Sequence, residues 1–143
     1  MFIGEYQHSL DEKGRIAVPT KFRTILSAGA VVTRGLDGCL FIYPLPEWQR
    51  LAERLAGLPL AQANTRAFAR LMLAGAMEAT VDKQGRMSIP DYLRSYAKLG
   101  KKVVLTGLYN RLELWDAAQW DEYRRSTERN GASIAEALQD IGV

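Results

Sequence analysis

The chain is poor in the residues that build stapled, metal-bound or catalytic small proteins. Among 143 residues there is one cysteine, Cys39, and one histidine, His8. A single thiol cannot close an intramolecular disulfide, which points to a reducing compartment, and Cys39 reads as a small buried hydrophobe. One histidine without a second ligand at metal spacing argues against a zinc site. Neither a Ser/His/Asp set nor a phosphate-cradling loop occurs. No apolar stretch reaches the length of about 18 residues that a transmembrane helix needs. The N-terminal MFIGEY lacks a basic segment followed by a long apolar run, so no signal peptide is expected. The expectation is a soluble cytoplasmic protein with no cofactor, no metal and no catalytic residues.

Charge is present but unevenly placed. The formal net charge is +3, a mild excess that says little about partners by itself. Residues 127–143 hold Glu128, Glu136 and Asp140 against Arg129, so the basic excess lies in the residues before them.

What the sequence does have is a motif written twice. Asp11-Glu12-Lys13-Gly14-Arg15-Ile16-Ala17-Val18-Pro19 recurs as Asp82-Lys83-Gln84-Gly85-Arg86-Met87-Ser88-Ile89-Pro90. Arg23 answers to Arg94. After each Arg, apolar and small residues alternate, the period-2 pattern of a half-buried strand. Glycine at the third residue after Asp supplies a positive φ, so a short basic turn between strands is expected. Ile16 and Val18 then face the core and Arg15 the opposite side. Each repeat holds up a basic tip.

The repeat extends well beyond the turn. Gly4 matches Gly75, and after a slip of one residue Gly35-Leu36 matches Gly107-Leu108, Tyr43 matches Trp115 and Trp48 matches Trp120. In each copy a short helix follows the Pro. Its buried face is read as Phe22, Ile25 and Leu26, with Tyr92, Leu93 and Tyr96 as counterparts, and Gly29 and Gly100 as stops. A hairpin follows, turning at Asp37-Gly38 and near Tyr109-Asn110. A closing helix carries Trp48, Leu51 and Leu55, or Trp120 and Tyr123 with Asp116 as its cap. Asn64 is read as the cap of a connecting helix with Phe68, Leu71, Met72 and Gly75 along one stripe. Ser133 and Glu136 are read as a capping box near the C-terminus.

The organisation expected is a first repeat over 1–56, a connecting helix over 57–74, a second repeat over 75–126 and a tail over 127–143 that can form a short helix. A copy of about 50 residues is marginal alone. The two copies are therefore expected to share one core about a pseudo-twofold axis.

This doubled Asp-x-x-Gly-Arg-x-x-x-Pro pattern, with its Gly-Leu hairpins and the Tyr43-Pro44 and Leu114-Trp115-Asp116 segments, resembles the MraZ family of bacterial transcriptional regulators. The resemblance covers about residues 1–126. It implies an α+β, mainly β fold: tandem AbrB-like (SpoVT-AbrB) swapped-hairpin barrel repeats with flanking helices. It also implies a ring-like homo-oligomer, associated with the nucleoid, that binds double-stranded DNA. The target implied is a set of repeated short elements in the promoter of its own gene cluster, the division and cell-wall cluster.

The tip residues suit that role. The major groove admits a two-stranded ribbon, and Arg bonds bidentately to guanine, a role that fits Arg15 and Arg86. Lys13, Lys83, Arg23 and Arg94 are expected on phosphates. Gln84, Gly14 and Gly85 complete the DNA-facing set at the turns. Asp11 and Asp82 would be repelled by phosphate and are read as turn-structuring. One such motif alone would read as solvated turn charge, but two in register favour DNA. Paired Asp residues also mark aspartic proteases, whose carboxylates share a proton. Those need small uncharged neighbours, whereas Glu12-Lys13 and Lys83-Gln84 follow these Asp residues. The remaining alternative is a ring-forming structural or antitoxin-like protein with only non-specific DNA affinity.

Overall fold

The computed structural model describes residues 1–142. The elements run β1 (Phe2–Ser9), β2 (Arg15–Ala17), α1 (Thr20–Leu26), β3 (Ala30–Arg34), β4 (Leu40–Pro44), α2 (Leu45–Ala56), α3 (Ala63–Ala69), a π-helical turn (Arg70–Ala74), β5 (Met77–Ala79), β6 (Arg86–Ser88), α4 (Asp91–Tyr96), β7 (Lys102–Tyr109), β8 (Leu112–Asp116), α5 (Ala117–Arg129) and α6 (Gly131–Ala137). A 3-10 turn over Gln139–Ile141 follows.

The strands interlock the two copies. A six-stranded antiparallel sheet has the order β1-β7-β8-β4-β3-β5, and a second sheet pairs β2 with β6. The order reads the same when the copies are exchanged, so a pseudo-twofold axis passes between β4 and β8. It also passes through the central Ile16–Met87 pair of β2 and β6. Each copy lends its first strand to the other: β1 pairs with β7 and β5 with β3. This is the swapped arrangement. The hairpins form where the turn chemistry placed them. Asp37 and Gly38 both take positive φ, 64° and 85°, within a three-residue loop, Leu36 to Gly38, closed by the Gly35 amide on the Cys39 carbonyl at 2.8 Å.

Period-2 alternation in β3, β4, β7 and β8 sends side chains to both faces of the large sheet. One face carries Val32, Leu40, Ile42, Val103, Leu105, Leu112 and Leu114, covered by Ile16, Val18, Phe22, Leu26, Met87, Ile89 and Leu93 from β2, α1, β6, α4 and their flanks. Both copies contribute to this one core. The other face carries Phe41, Tyr43 and Trp115 under Leu55, Met72, Trp48 and Trp120. Cys39 is buried there, and burial pushes its thiol well above the ordinary range, so it packs as a hydrophobe.

Several local expectations are corrected. In α1, Phe22 and Leu26 are buried but Ile25 is 36% exposed; in α4, Leu93 is buried but Tyr92 is 38% exposed. These helices have seven and six residues, so each spans too few turns to bury more than one narrow stripe. Gly100 does not stop α4. The left-handed position is Lys98, with φ 51°, closed by the Leu99 amide on the Arg94 carbonyl. Asn64 does not cap α3, which begins one residue earlier at Ala63 after Gln62. Instead the Thr65 hydroxyl donates to the Gln62 and Pro59 carbonyls. Ser133 lies inside α6 and makes no capping bond. Phe68 lies 36% exposed while Met72 is buried. The π turn after Ala69 rotates the stripe off a regular helical repeat. Asp116 does cap α5, accepting from the Gln119 amide at 3.3 Å.

The π turn leaves carbonyls without helical partners, and β3 supplies them. The buried Thr33 hydroxyl donates to the Met72 carbonyl at 2.6 Å, and Arg34 reaches the Leu71 carbonyl at 3.4 Å. Thr33→Val keeps the shape but strips the Met72 carbonyl of this donor. A loss of about 1–3 kcal/mol is expected in urea denaturation, whereas Thr24→Val on the exposed side of α1 should leave the midpoint nearly unchanged.

Candidate nucleic-acid interface

Each tip is a turn built around one carboxylate. One Asp11 oxygen accepts from the backbone amides of Lys13 and Arg15, both at 2.9 Å, and the other accepts from Arg15 Nε at 2.7 Å. Asp82 repeats the pattern with Gln84 and Arg86 amides at 2.9 Å and Arg86 Nε at 3.1 Å. The Asp11 and Asp82 carbonyls accept from the Gly14 and Gly85 amides, closing each turn. The glycines take φ of +74° and +78°, the left-handed region that L side chains enter only at a cost.

In each case the Asp engages Nε alone, so the guanidinium is aimed while its terminal nitrogens stay free of partners among the described residues. Bonding to the amides at Arg15 and Arg86 comes first among the causes that hold the two carboxyls below the ordinary value of 3.8, with the guanidinium bonds adding to it. Both aspartates are therefore ionised wherever the protein functions near neutrality.

The tips do not stand apart. The carbonyl of Gly14 accepts from the Ile89 amide at 2.9 Å, and that of Gly85 from the Val18 amide at 2.8 Å. These bonds extend the β2–β6 ribbon at both ends. Arg15 lies opposite Ser88 and Ala17 opposite Arg86, so Arg15, Ala17, Arg86 and Ser88 share one face. Ile16 and Met87 point the other way into the core. The two arginines are diagonal neighbours, about 7–8 Å apart at the backbone, with only small side chains between them. The sequence pattern implies one basic tip on each repeat; the ribbon makes the two a single two-arginine face. Their companion small residues, Ala17 and Ser88, were visible only as strand alternation.

Lys13, Lys83 and Gln84 are exposed beside this face. Arg23 and Arg94 stand elsewhere. A Cβ added to Gly85 would fall on the Nε, Cζ and Nη2 atoms of Arg23, and one added to Gly14 on Nη1 of Arg94. Each copy's second arginine thus covers the other copy's turn glycine. The matched register of Arg23 and Arg94 was the available signal, but spacing along one copy cannot reveal a contact made across two.

A family model described as "MraZ protein, putative antitoxin-like" matches twice, over residues 1–71 and 72–141. A protein of Halothermothrix orenii named Transcriptional regulator MraZ is 50% identical over 143 residues, covering all of both chains. Proteins of the same name from Pediococcus pentosaceus and Natranaerobius thermophilus are 52% and 49% identical, each over 143 residues and the whole of both chains.

The turn electrostatics give a direct prediction. Carboxyl resonances of Asp11 and Asp82 should titrate with midpoints below 3.8. The stability they contribute is present above that value and is lost as pH falls through the lowered midpoints. Arg15→Ala should raise the Asp11 midpoint only part of the way, because the backbone bond remains, and should leave Asp82 unmoved. Equal movement of both would show that the two turns are not separate carboxylate cages.

Proposed function

This chain belongs to the MraZ family, and we propose that it is a transcriptional regulator that reads double-stranded DNA with the Arg15–Arg86 face of the β2–β6 ribbon. The observation that carries this reading is the pair of guanidinium groups on one ribbon face, each held through Nε by an aspartate, with terminal nitrogens free of partners among the described residues. A two-stranded ribbon fits the major groove, and an Arg presenting two donors matches guanine O6 and N7. The diagonal spacing corresponds to roughly two base-pair steps at about 3.4 Å each. Lys13, Lys83 and Gln84 are exposed beside the face, and on phosphates they add affinity without sequence information. The relatives from Halothermothrix orenii, Pediococcus pentosaceus and Natranaerobius thermophilus are named as transcriptional regulators, which supports this reading. A regulator of this kind needs no catalytic step, and none is assigned.

The finer parts of the proposal are that the target lies in the promoter of its own gene cluster, as repeated short elements, and that the chain acts as a homo-oligomeric ring on the nucleoid in the cytoplasm. Two 50-residue repeats with a connecting helix remain the division proposed for the chain. One ribbon carries one arginine pair, so repeated elements call for several chains. Exposed Phe68 and Leu73, beside the buried Met72, leave an apolar rim for such contacts. Light scattering should give a mass well above the 16.0 kDa of one chain at micromolar concentration; a monomer alone would refute assembly.

The DNA reading is tested on a fragment from upstream of the chain's own gene and a scrambled fragment of equal length. Arg15→Ala or Arg86→Ala should remove discrimination worth about 1–3 kcal/mol for each lost bidentate contact. Lys13→Ala or Lys83→Ala should weaken both fragments alike and flatten the slope of log K against log salt by about 0.9 per phosphate contact. Absence of any preference by the unmodified chain would favour the antitoxin-like or structural alternative.

A further inference from the structure

The two turn glycines pose a problem of burial. Lys13 and Gln84, which immediately precede them, are exposed, yet Gly14 and Gly85 are buried. What covers them is arginine from the other copy. Arg23 projects from α1 with its Nε donating to the Val18 carbonyl at 2.8 Å, and its guanidinium lies across Gly85, with Cζ, Nε and Nη2 all within 2.6 Å of where a Cβ would stand. Arg94 projects from α4 and reaches Gly14 with its Nη1 end, while Nη2 pairs with Asp91 at 3.2 Å. Thr20 stands where Asp91 would stand in the first copy, so Arg23 has no such carboxylate.

We propose that Arg23 and Arg94 are positioning residues that act crosswise: Arg94 holds the turn that aims Arg15, and Arg23 holds the turn that aims Arg86. This rests on the DNA-reading function proposed above and assigns those two arginines a different task from phosphate binding. The physical grounds are three. A guanidinium is planar and can lie against a glycine backbone where a side chain would block it. Each covered glycine also carries the carbonyl that bonds to the other copy's strand, Gly14 to Ile89 and Gly85 to Val18, and the cover keeps water from that bond. Finally, Arg23 and Arg94 already spend a nitrogen on Val18 and Asp91, which fixes their direction toward the turn. Glycine is required at these positions twice over, by the positive φ and by the arginine that would be evicted.

Crosswise action separates this role from a phosphate contact. Arg94→Lys keeps the charge but loses the plane, so it should behave like Arg94→Ala. Both should lower the ratio of own-upstream to scrambled affinity several-fold, with an upper bound of roughly 150-fold, the worth of one whole bidentate contact. The salt slope on scrambled DNA should stay unchanged. In an Arg15→Ala background the Arg94 change should have no further effect on that ratio, and in an Arg86→Ala background its full effect. Arg23 should couple to Arg86 in the same way. If Lys restores binding, or if Arg94→Ala flattens the slope by about 0.9, Arg94 is a phosphate contact and the proposal fails.

A DNA-free arm keeps the outcome separate from the function itself. In the unliganded full chain carrying Arg94→Lys, amide exchange at Arg15 and Ile89 should quicken while that at Arg86 and Val18 holds, with β7 protection showing an intact fold. Should the unmodified chain show no DNA preference, the proposed function falls and this arm alone decides. Even quickening at both turns, or none at either, would overturn the crosswise assignment.

Discussion

The pairing of β2 with β6, three residues on each strand, joins what neither repeat could close alone. A polypeptide of about 50 residues buries too little apolar surface to be stable by itself. Here each repeat gives away its first strand to the other repeat's hairpin and receives one in return. Ile16 and Met87 meet at the axis and drop into a core lined by both copies. Because side chains alternate along a strand, burying that central pair forces its neighbours outward. Arg15 and Arg86 face solvent as a consequence of what Ile16 and Met87 do.

The same short ribbon sets the electrostatics. A carboxylate beside DNA would be a liability if it were free. Asp11 and Asp82 each spend one oxygen on two backbone amides and the other on an arginine Nε. Their charge shapes the turn and steers a cation, leaving that cation's outer nitrogens for an external acceptor. The copies are not equal in this respect. The first turn carries Glu12 where the second carries Lys83, and Arg94 is tied to Asp91, whose matching position in the first copy is Thr20. The second turn is therefore the more positive half of a nearly symmetric face.

Much of this was legible in the sequence because it depends on short-range rules. The doubled motif, the positive-φ glycines, the Asp37-Gly38 hairpin turn and the Asp116 cap are encoded within a few residues of where they act. The shared core followed from repeat size. Other features depend on contacts between distant segments, and local pattern missed them. Ile25 and Tyr92 fit a helical stripe but lie on helices too short to bury it all. The π turn after Ala69 is held by Thr33 and Arg34, 37 to 39 residues away in sequence, so the stripe from Phe68 through Gly75 did not form on one regular helix. The covering of Gly14 by Arg94 and Gly85 by Arg23 joins opposite repeats. Spacing alone favoured putting those arginines on phosphates.

The account stands on the ribbon being one reading face shared by both copies. Arginine side-chain NMR of the full chain, titrated with a short duplex from upstream of its gene, tests that most directly, since Asp11 and Asp82 fix the Nε groups of Arg15 and Arg86. Both Nε signals should shift together at the same DNA concentration, with backbone shifts confined to β2, β6 and the two turns. Shifts confined to α2 and α5 on the opposite face of the sheet, with both Nε signals unmoved, would contradict it.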